Sequence, residues 1–353
     1  MRIAIVSPPF IPVPPVAYGG TELFVAQLAE GLADRGHQVI VYANGESRVR
    51  CEMRWLYAHA DWPPVDAAAC HLKNADHTAW AVRDAAEWAD VVHVNDAIAL
   101  PFTRFLDVPV VLTVHHTHEP VLSELYERYP RVQYVAISDA QARREPMARI
   151  AVVHHGLRLD DYIFKDRKDD YLAFLGRMVP CKGAHAAIAV ARRAGLRLKL
   201  AGEVQPMYRQ YWCDQVLPHI DGDQIQYLGE ADDVLKNDLL SGARALLFPI
   251  EWEEPFGLVM IEALACGTPV LAFEGGAVAE VVRDGVSGWI CGDVAEMAAR
   301  AMSPGILPES CRAWASDRFS CERMVDQYLD VYMSVRSASE RAVAVRTDVS
   351  WKT

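Results

Sequence analysis

Two glutamates with seven residues between them, Glu254 and Glu262, flank the run Pro255-Phe256-Gly257-Leu258, which reads as the start of a helix. Pro255 in the first turn and Gly267 just past the end give the usual asymmetry of helix start and stop. The unpaired N–H groups of Phe256, Gly257 and Leu258 then point out of that turn, where the helix dipole attracts an anion of diphosphate size. Gly257 allows close backbone approach, because no Cβ intervenes. Glu262 lies one turn beyond Leu258 on the same face, where its carboxylate can accept hydrogen bonds from a ribose diol. Each glutamate also has a plainer reading, Glu254 as an acid complementing the helix dipole and Glu262 as a solvated helix residue.

A second constellation is Gly176-Arg177-Met178-Val179-Pro180-Cys181-Lys182-Gly183, which follows the strand ending in Phe174-Leu175. It places Arg177 and Lys182 at the carboxyl edge of a parallel sheet, the side on which ligands bind. Gly19 and Gly20, in Tyr18-Gly19-Gly20-Thr21-Glu22, permit a tight turn at another helix start, with Thr21 as the expected N-cap. This signal is weaker, and the missing Gly-x-Gly-x-x-Gly pattern counts against a dinucleotide enzyme. His115-His116-Thr117-His118 leaves its strand at once, with no fixed helical pair and no nearby cysteine, which disfavours zinc. Asp221-Gly222-Asp223 reads as turn chemistry before the next strand.

The Glu-x7-Glu pair, Glu-Pro-Phe-Gly-Leu, Ala265-Cys266-Gly267-Thr268-Pro269-Val270, Gly275-Gly276, Glu280-Val281-Val282 and Asp284-Gly285 closely resemble retaining glycosyltransferases of family 4. These form the glycogen-synthase and mannosyltransferase-like group, and the similarity spans nearly the whole chain. The resemblance implies the GT-B architecture, α/β, with two Rossmann-like doubly wound domains facing a central cleft. It implies a hexose moved with retention from a UDP- or GDP-sugar to a hydroxyl of a small-molecule, glycan or lipid-linked acceptor, with no cofactor and no essential metal. By the same resemblance Arg177 and Lys182 bind the donor diphosphate, Glu254 orients the sugar, and Gly19 and Gly20 line the cleft. His115, with His116 as the register alternative, lies near the transferred sugar and acceptor, and Tyr227 and Leu228 border the nucleobase. His155 stands where the family has an interdomain Asn, and Cys181 replaces a common acid. A nucleotide-sugar epimerase or glycan phosphorylase, or a non-catalytic sugar-nucleotide binding protein on the same fold, remain the alternatives.

These residues need a scaffold, and the 353-residue chain supplies a repeating one. Strand, glycine loop, helix and strand recur from Arg2 to Ala43 and again from Tyr171 to Ala201, the rhythm of parallel sheets crossed by helices. The expected division is 1–158 for an N-terminal acceptor-binding domain, 159–318 for a C-terminal donor-binding domain, and 319–353 for a helix packing back toward the first. The polar stretch Leu159 to Asp170 reads as a linker, and the last dozen residues as frayed. A formal charge of -12 disfavours nucleic acid and makes peripheral membrane contact the less favoured reading. No apolar run reaches bilayer-crossing length, and Met1-Arg2-Ile3-Ala4 lacks a signal sequence, so a soluble, cytoplasmic protein is expected.

Overall fold

The computed structural model describes residues 1–349 other than Tyr18, Pro64 and Val65. Helical backbone reaches Val349, so the expected fraying is not seen that far, and the final four residues lie outside the described ones. The chain divides into two compact units. One comprises residues 1–15, 19–154 and 321 onward, and the other residues 155–320 with Val16 and Ala17.

The first unit holds a seven-stranded sheet in the order β3-β2-β1-β4-β5-β6-β7. Its strands are β1 (Arg2–Val6), β2 (Gln38–Tyr42), β3 (Glu52–Arg54), β4 (Val91–Val94), β5 (Val110–Val114), β6 (Gln133–Ala136) and β7 (Ile150–Val152). Every pairing is parallel. Continuous apolar runs such as Ile3-Ala4-Ile5 are buried on both faces, which is why they are not alternating patterns. One face packs against the helix Gly20–Asp34 and the final helix Cys321–Val349 through Phe24, Leu28, Met324, Val325 and Tyr328. The other packs against Ala81, Val82 and Ala85 of the helix Ala67–Ala86.

The helix expected to be capped by Thr21 starts one residue earlier, at Gly20, with Gly19 at the N-cap and no side-chain cap. Thr21 is thus inside the first turn and cannot serve as its cap.

The second unit holds a six-stranded sheet in the order β10-β9-β8-β11-β12-β13, again parallel throughout. The strands are β8 (Tyr171–Leu175), β9 (Arg197–Ala201), β10 (Ile225–Tyr227), β11 (Ala245–Phe248), β12 (Val270–Phe273) and β13 (Gly288–Cys291). Leu172, Phe174, Leu198, Leu200 and Leu247 form its core with Ile188 and Val190 of the helix Ala184–Ala194.

The stretch 159–170 is not a free linker but part of this unit. Tyr162 is buried, and the Lys168 ammonium donates to Ser241 O, Cys266 O and Thr268 Oγ1, each at 2.9 Å. Its polar composition hid these anchors, because a lysine that seals two carbonyls looks in sequence like a solvated one.

Candidate active site

In the second unit, the loops after β8 and β11 carry the two strongest motifs to one edge of the sheet, the carboxyl edge. A backbone bond from Glu251 N to Cys181 O, 2.8 Å, ties the two loops together. There Lys182 Nζ lies 2.5 Å from Glu254 Oε2, and Trp252 Nε1 donates to the same oxygen at 2.9 Å. The ammonium also stands 4.7 Å from the centroid of the Trp252 ring and 5.9 Å from that of Phe248. Glu254 is only 7% exposed, and a carboxylate so placed needs both a cation and hydrogen bonds.

The loop after β12 closes over the acid from behind. Ala277 N donates to Glu254 O at 2.9 Å, and Gly276 N to Glu253 Oε2 at 2.7 Å. A Cβ at Gly276 would lie 2.1 Å from Glu254 O, so only glycine fits. Arg177, on the same loop after β8 as Lys182, is half-buried. Burial pushes the Cys181 thiol up, and the fields of Lys182 and Arg177 pull against it.

The helix start differs from expectation. The helix is Leu258–Ala265, and Gly257, at φ 84°, is its N-cap in the left-handed region. Pro255 and Phe256 therefore precede the helix, because the left-handed turn at Gly257 separates them from it. Phe256 is 1% exposed, with its ring 5.0 Å from that of His155 and 5.8 Å from that of Phe319, so its side chain is a core anchor. The outward-facing helical amides are those of Leu258 and Val259, while Met260 N bonds back to Gly257 O at 2.9 Å.

Glu262 is not a solvated helix residue. It is 5% exposed, and its Oε1 accepts from Tyr162 Oη at 3.0 Å and Lys236 Nζ at 2.9 Å. Burial opposes the charge on Lys236, yet Glu262 and Asp233 more than offset it and hold its pKa above the usual lysine value. At the end of β10, Tyr227 Oη donates to Gly202 O at 2.8 Å and its ring lies 4.6 Å from that of Trp212, while Leu228 N donates to Leu200 O at 2.9 Å. Asp221 Oδ1 accepts from Asp223 N and Ile225 N, both at 2.9 Å, which is turn chemistry.

In the first unit His115 Nε2 meets Asn95 Oδ1 at 2.9 Å, and its ring lies 5.0 Å from that of Phe24. His116 has both ring nitrogens committed, Nδ1 to Thr117 O at 2.6 Å and Nε2 to Tyr126 Oη at 2.5 Å. Gly19 takes φ 154°, and a Cβ there would lie 2.6 Å from Pro15 Cβ. Gly20 opens the following helix, in which Glu22 is 6% exposed and burial pushes its carboxyl up to about 7.

Sequence reasoning missed Trp252, Tyr162 and Lys236 as members of these clusters. Trp252 was readable as an indole donor two residues before an acid. Tyr162 was not, since it reaches Glu262 from 100 positions away.

Among the described residues no helix is long and apolar enough to cross a membrane. Residues 18–161 match the family described as "Glycosyltransferase Family 4", and residues 160–305 match "Glycosyl transferases group 1". The chain is 28% identical over 395 residues to a glycogen synthase of Mycobacterium tuberculosis, covering 93% of this chain and 91% of that one. It is 25% identical over 342 residues to a phosphatidyl-myo-inositol mannosyltransferase of the same organism, covering 87% of each. Among solved structures, sucrose-phosphate synthase from Thermosynechococcus elongatus has a TM-score of 0.80 at 19% identity, covering 96% of this chain and 99% of that one. AviGT4, a glycosyltransferase of avilamycin A biosynthesis, has a TM-score of 0.72 at 24% identity, covering 96% and 98%. These likenesses extend over both units.

Proposed function

The chain belongs to glycosyltransferase family 4 and has the GT-B fold, and from that premise we propose that it transfers a hexose from a UDP- or GDP-sugar to a hydroxyl of a small-molecule, glycan or lipid-linked acceptor. The transfer retains configuration at the anomeric carbon, uses no bound metal and takes place in the cytoplasm. The observation that carries this reading is the ion pair of half-buried Lys182 with buried Glu254, with Arg177 on the same loop as the lysine, at the carboxyl edge of β8 and β11. A nucleotide-sugar donor asks for that combination, cations for the departing diphosphate and an acid for the sugar hydroxyls.

Arg177, Lys182 and the amide of Leu258 stabilise charge on the leaving diphosphate, and Gly257 lets the backbone approach it. Glu254 orients the sugar hydroxyls, Glu262 accepts from the ribose diol, and Tyr227 and Leu228 border the base. His115 holds a sugar or acceptor hydroxyl. The incoming hydroxyl attacks on the face from which the diphosphate leaves, and a donor phosphate oxygen takes its proton.

The test is a thermal-shift screen of UDP, GDP, ADP and dTDP sugars, followed by transfer assays with the stabilising donor. A UDP- or GDP-sugar should raise the melting temperature by mass action. Lys182→Ala should lower turnover by roughly a hundredfold, the scale set by removing one preorganised charge-stabilising group. Transfer by that variant at the native rate would sink the assignment.

A further inference from the structure

Glu254 Oε2 receives two donors of different kinds, the Lys182 ammonium at 2.5 Å and the Trp252 indole N–H at 2.9 Å. The ammonium is mobile in its loyalties. It is a point charge on a flexible stem, and a diphosphate arriving at the same edge competes with Glu254 for it. The indole N–H is neutral, fixed in the plane of its ring and able only to donate, so the diphosphate's charge has little hold on it. The ring in turn offers its face to Lys182 at 4.7 Å, which brings Trp252 into contact with both members of the pair.

We propose that Trp252 is a positioning residue for transfer, holding the Glu254 side chain in its rotamer through Oε2 once Lys182 turns to the donor diphosphate, so that Oε1 is the oxygen presented to the sugar. This rests on the donor-site reading given above for Lys182 and Glu254. It goes beyond that reading in assigning the loaded state of the acid to a residue outside the Glu-x7-Glu motif. The backbone of Glu254 is pinned separately by Ala277 N at 2.9 Å, so the indole bond governs the carboxylate and not the loop.

The experiment compares Trp252→Phe, which keeps a ring face for the ammonium and loses only the N–H, with Trp252→His, which restores a ring N–H, and with Glu254→Gln. Each variant is assayed as the full chain for nucleoside diphosphate affinity and for kcat and KM with the nucleotide sugar. Trp252→Phe should bind nucleoside diphosphate as the native protein does and lose roughly ten- to a hundredfold in kcat, the loss expected for one hydrogen bond to a charged group. Trp252→His should recover part of that loss. A Trp252→Phe enzyme with native kcat, beside a crippled Glu254→Gln, would overturn the role of Trp252 while leaving the donor site standing. Native transfer by Glu254→Gln would overturn both together.

Discussion

Asn95 Oδ1 accepts a hydrogen bond from His115 Nε2–H at 2.9 Å. The direction follows from the other half of the amide: Asn95 Nδ2 donates to Val6 O at 3.0 Å, so Oδ1 is the atom left facing the imidazole, and it can only accept. His115 therefore carries its proton on Nε2 when neutral. Nitrogen-15 and carbon-13 chemical shifts of the imidazole should report the Nε2–H tautomer in the native protein. A native protein with the proton on Nδ1 would contradict the assignment.

Gly276→Ala should damage the site from behind. The new Cβ would lie 2.1 Å from Glu254 O and 2.5 Å from Glu254 N, both backbone atoms, at a φ of +56° that L side chains rarely adopt. The loop must shift and carry Glu254 with it, and a displacement of about 1 Å at such a group costs on the order of a hundredfold in rate. Kinetics with a nucleotide sugar, read beside the circular-dichroism spectrum, check this. Native turnover in a folded variant would mean that the loop can yield without moving the acid.

The pH dependence of stability should carry a signature of Glu22. Burial raises its pKa from 4.5 to about 7, so between those values the folded protein keeps a proton that the unfolded chain has released. Stability from this group is full below the lower value and is lost as pH rises through the upper one, a change on the order of 3 kcal/mol. Glu22→Gln removes that loss, so the variant should gain on the native protein in urea unfolding as pH climbs from about 5 to about 8. Parallel profiles for the two proteins would show that Glu22 ionises freely.

Tyr332→Phe should loosen the final helix from the first sheet. Tyr332 Oη lies 2.6 Å from His93 Nδ1, and His93 Nε2 lies 2.8 Å from Thr113 Oγ1, which in turn meets Tyr328 Oη at 2.9 Å. Burial pushes His93 down to about 3, so it stays neutral and its nitrogens need neutral partners. Losing one partner in this dry network should cost about 1–3 kcal/mol in chemical denaturation. An unchanged midpoint would mean that the hydroxyl is dispensable.

Much of the scaffold was legible because parallel strands buried on both faces must be short apolar runs. Val91-Val92-His93-Val94 and Ala245-Leu246-Leu247-Phe248 announce themselves that way. Strand β3 did not, since Glu52-Met53-Arg54 is a polar edge strand that needs only one neighbour. The Arg177, Lys182 and Glu254 constellation could be read because each residue lies beside a glycine or proline that marks the end of an element. The true start of the helix after Glu254 could not, because Pro255 at the first helical turn and Gly257 as a left-handed cap satisfy the same letters. Tyr162 and Lys236 were out of reach, since no local pattern says which distant side chains will neutralise a buried Glu262.

The return of residues 321–349 to the first sheet sets the order in which a growing polypeptide can mature. Residues 155–320 are complete, with their own interior, before the ribosome has made Met324, Val325, Tyr328 and Tyr332. The half translated first is therefore the half finished last, the reverse of the usual vectorial sequence. Until residues 321–335 have been made, Val25, Leu28 and Leu32 lack the apolar layer that covers them in the folded protein. A premature stop near residue 320 would release a chain with one sound half and one sticky half, a natural client for chaperones.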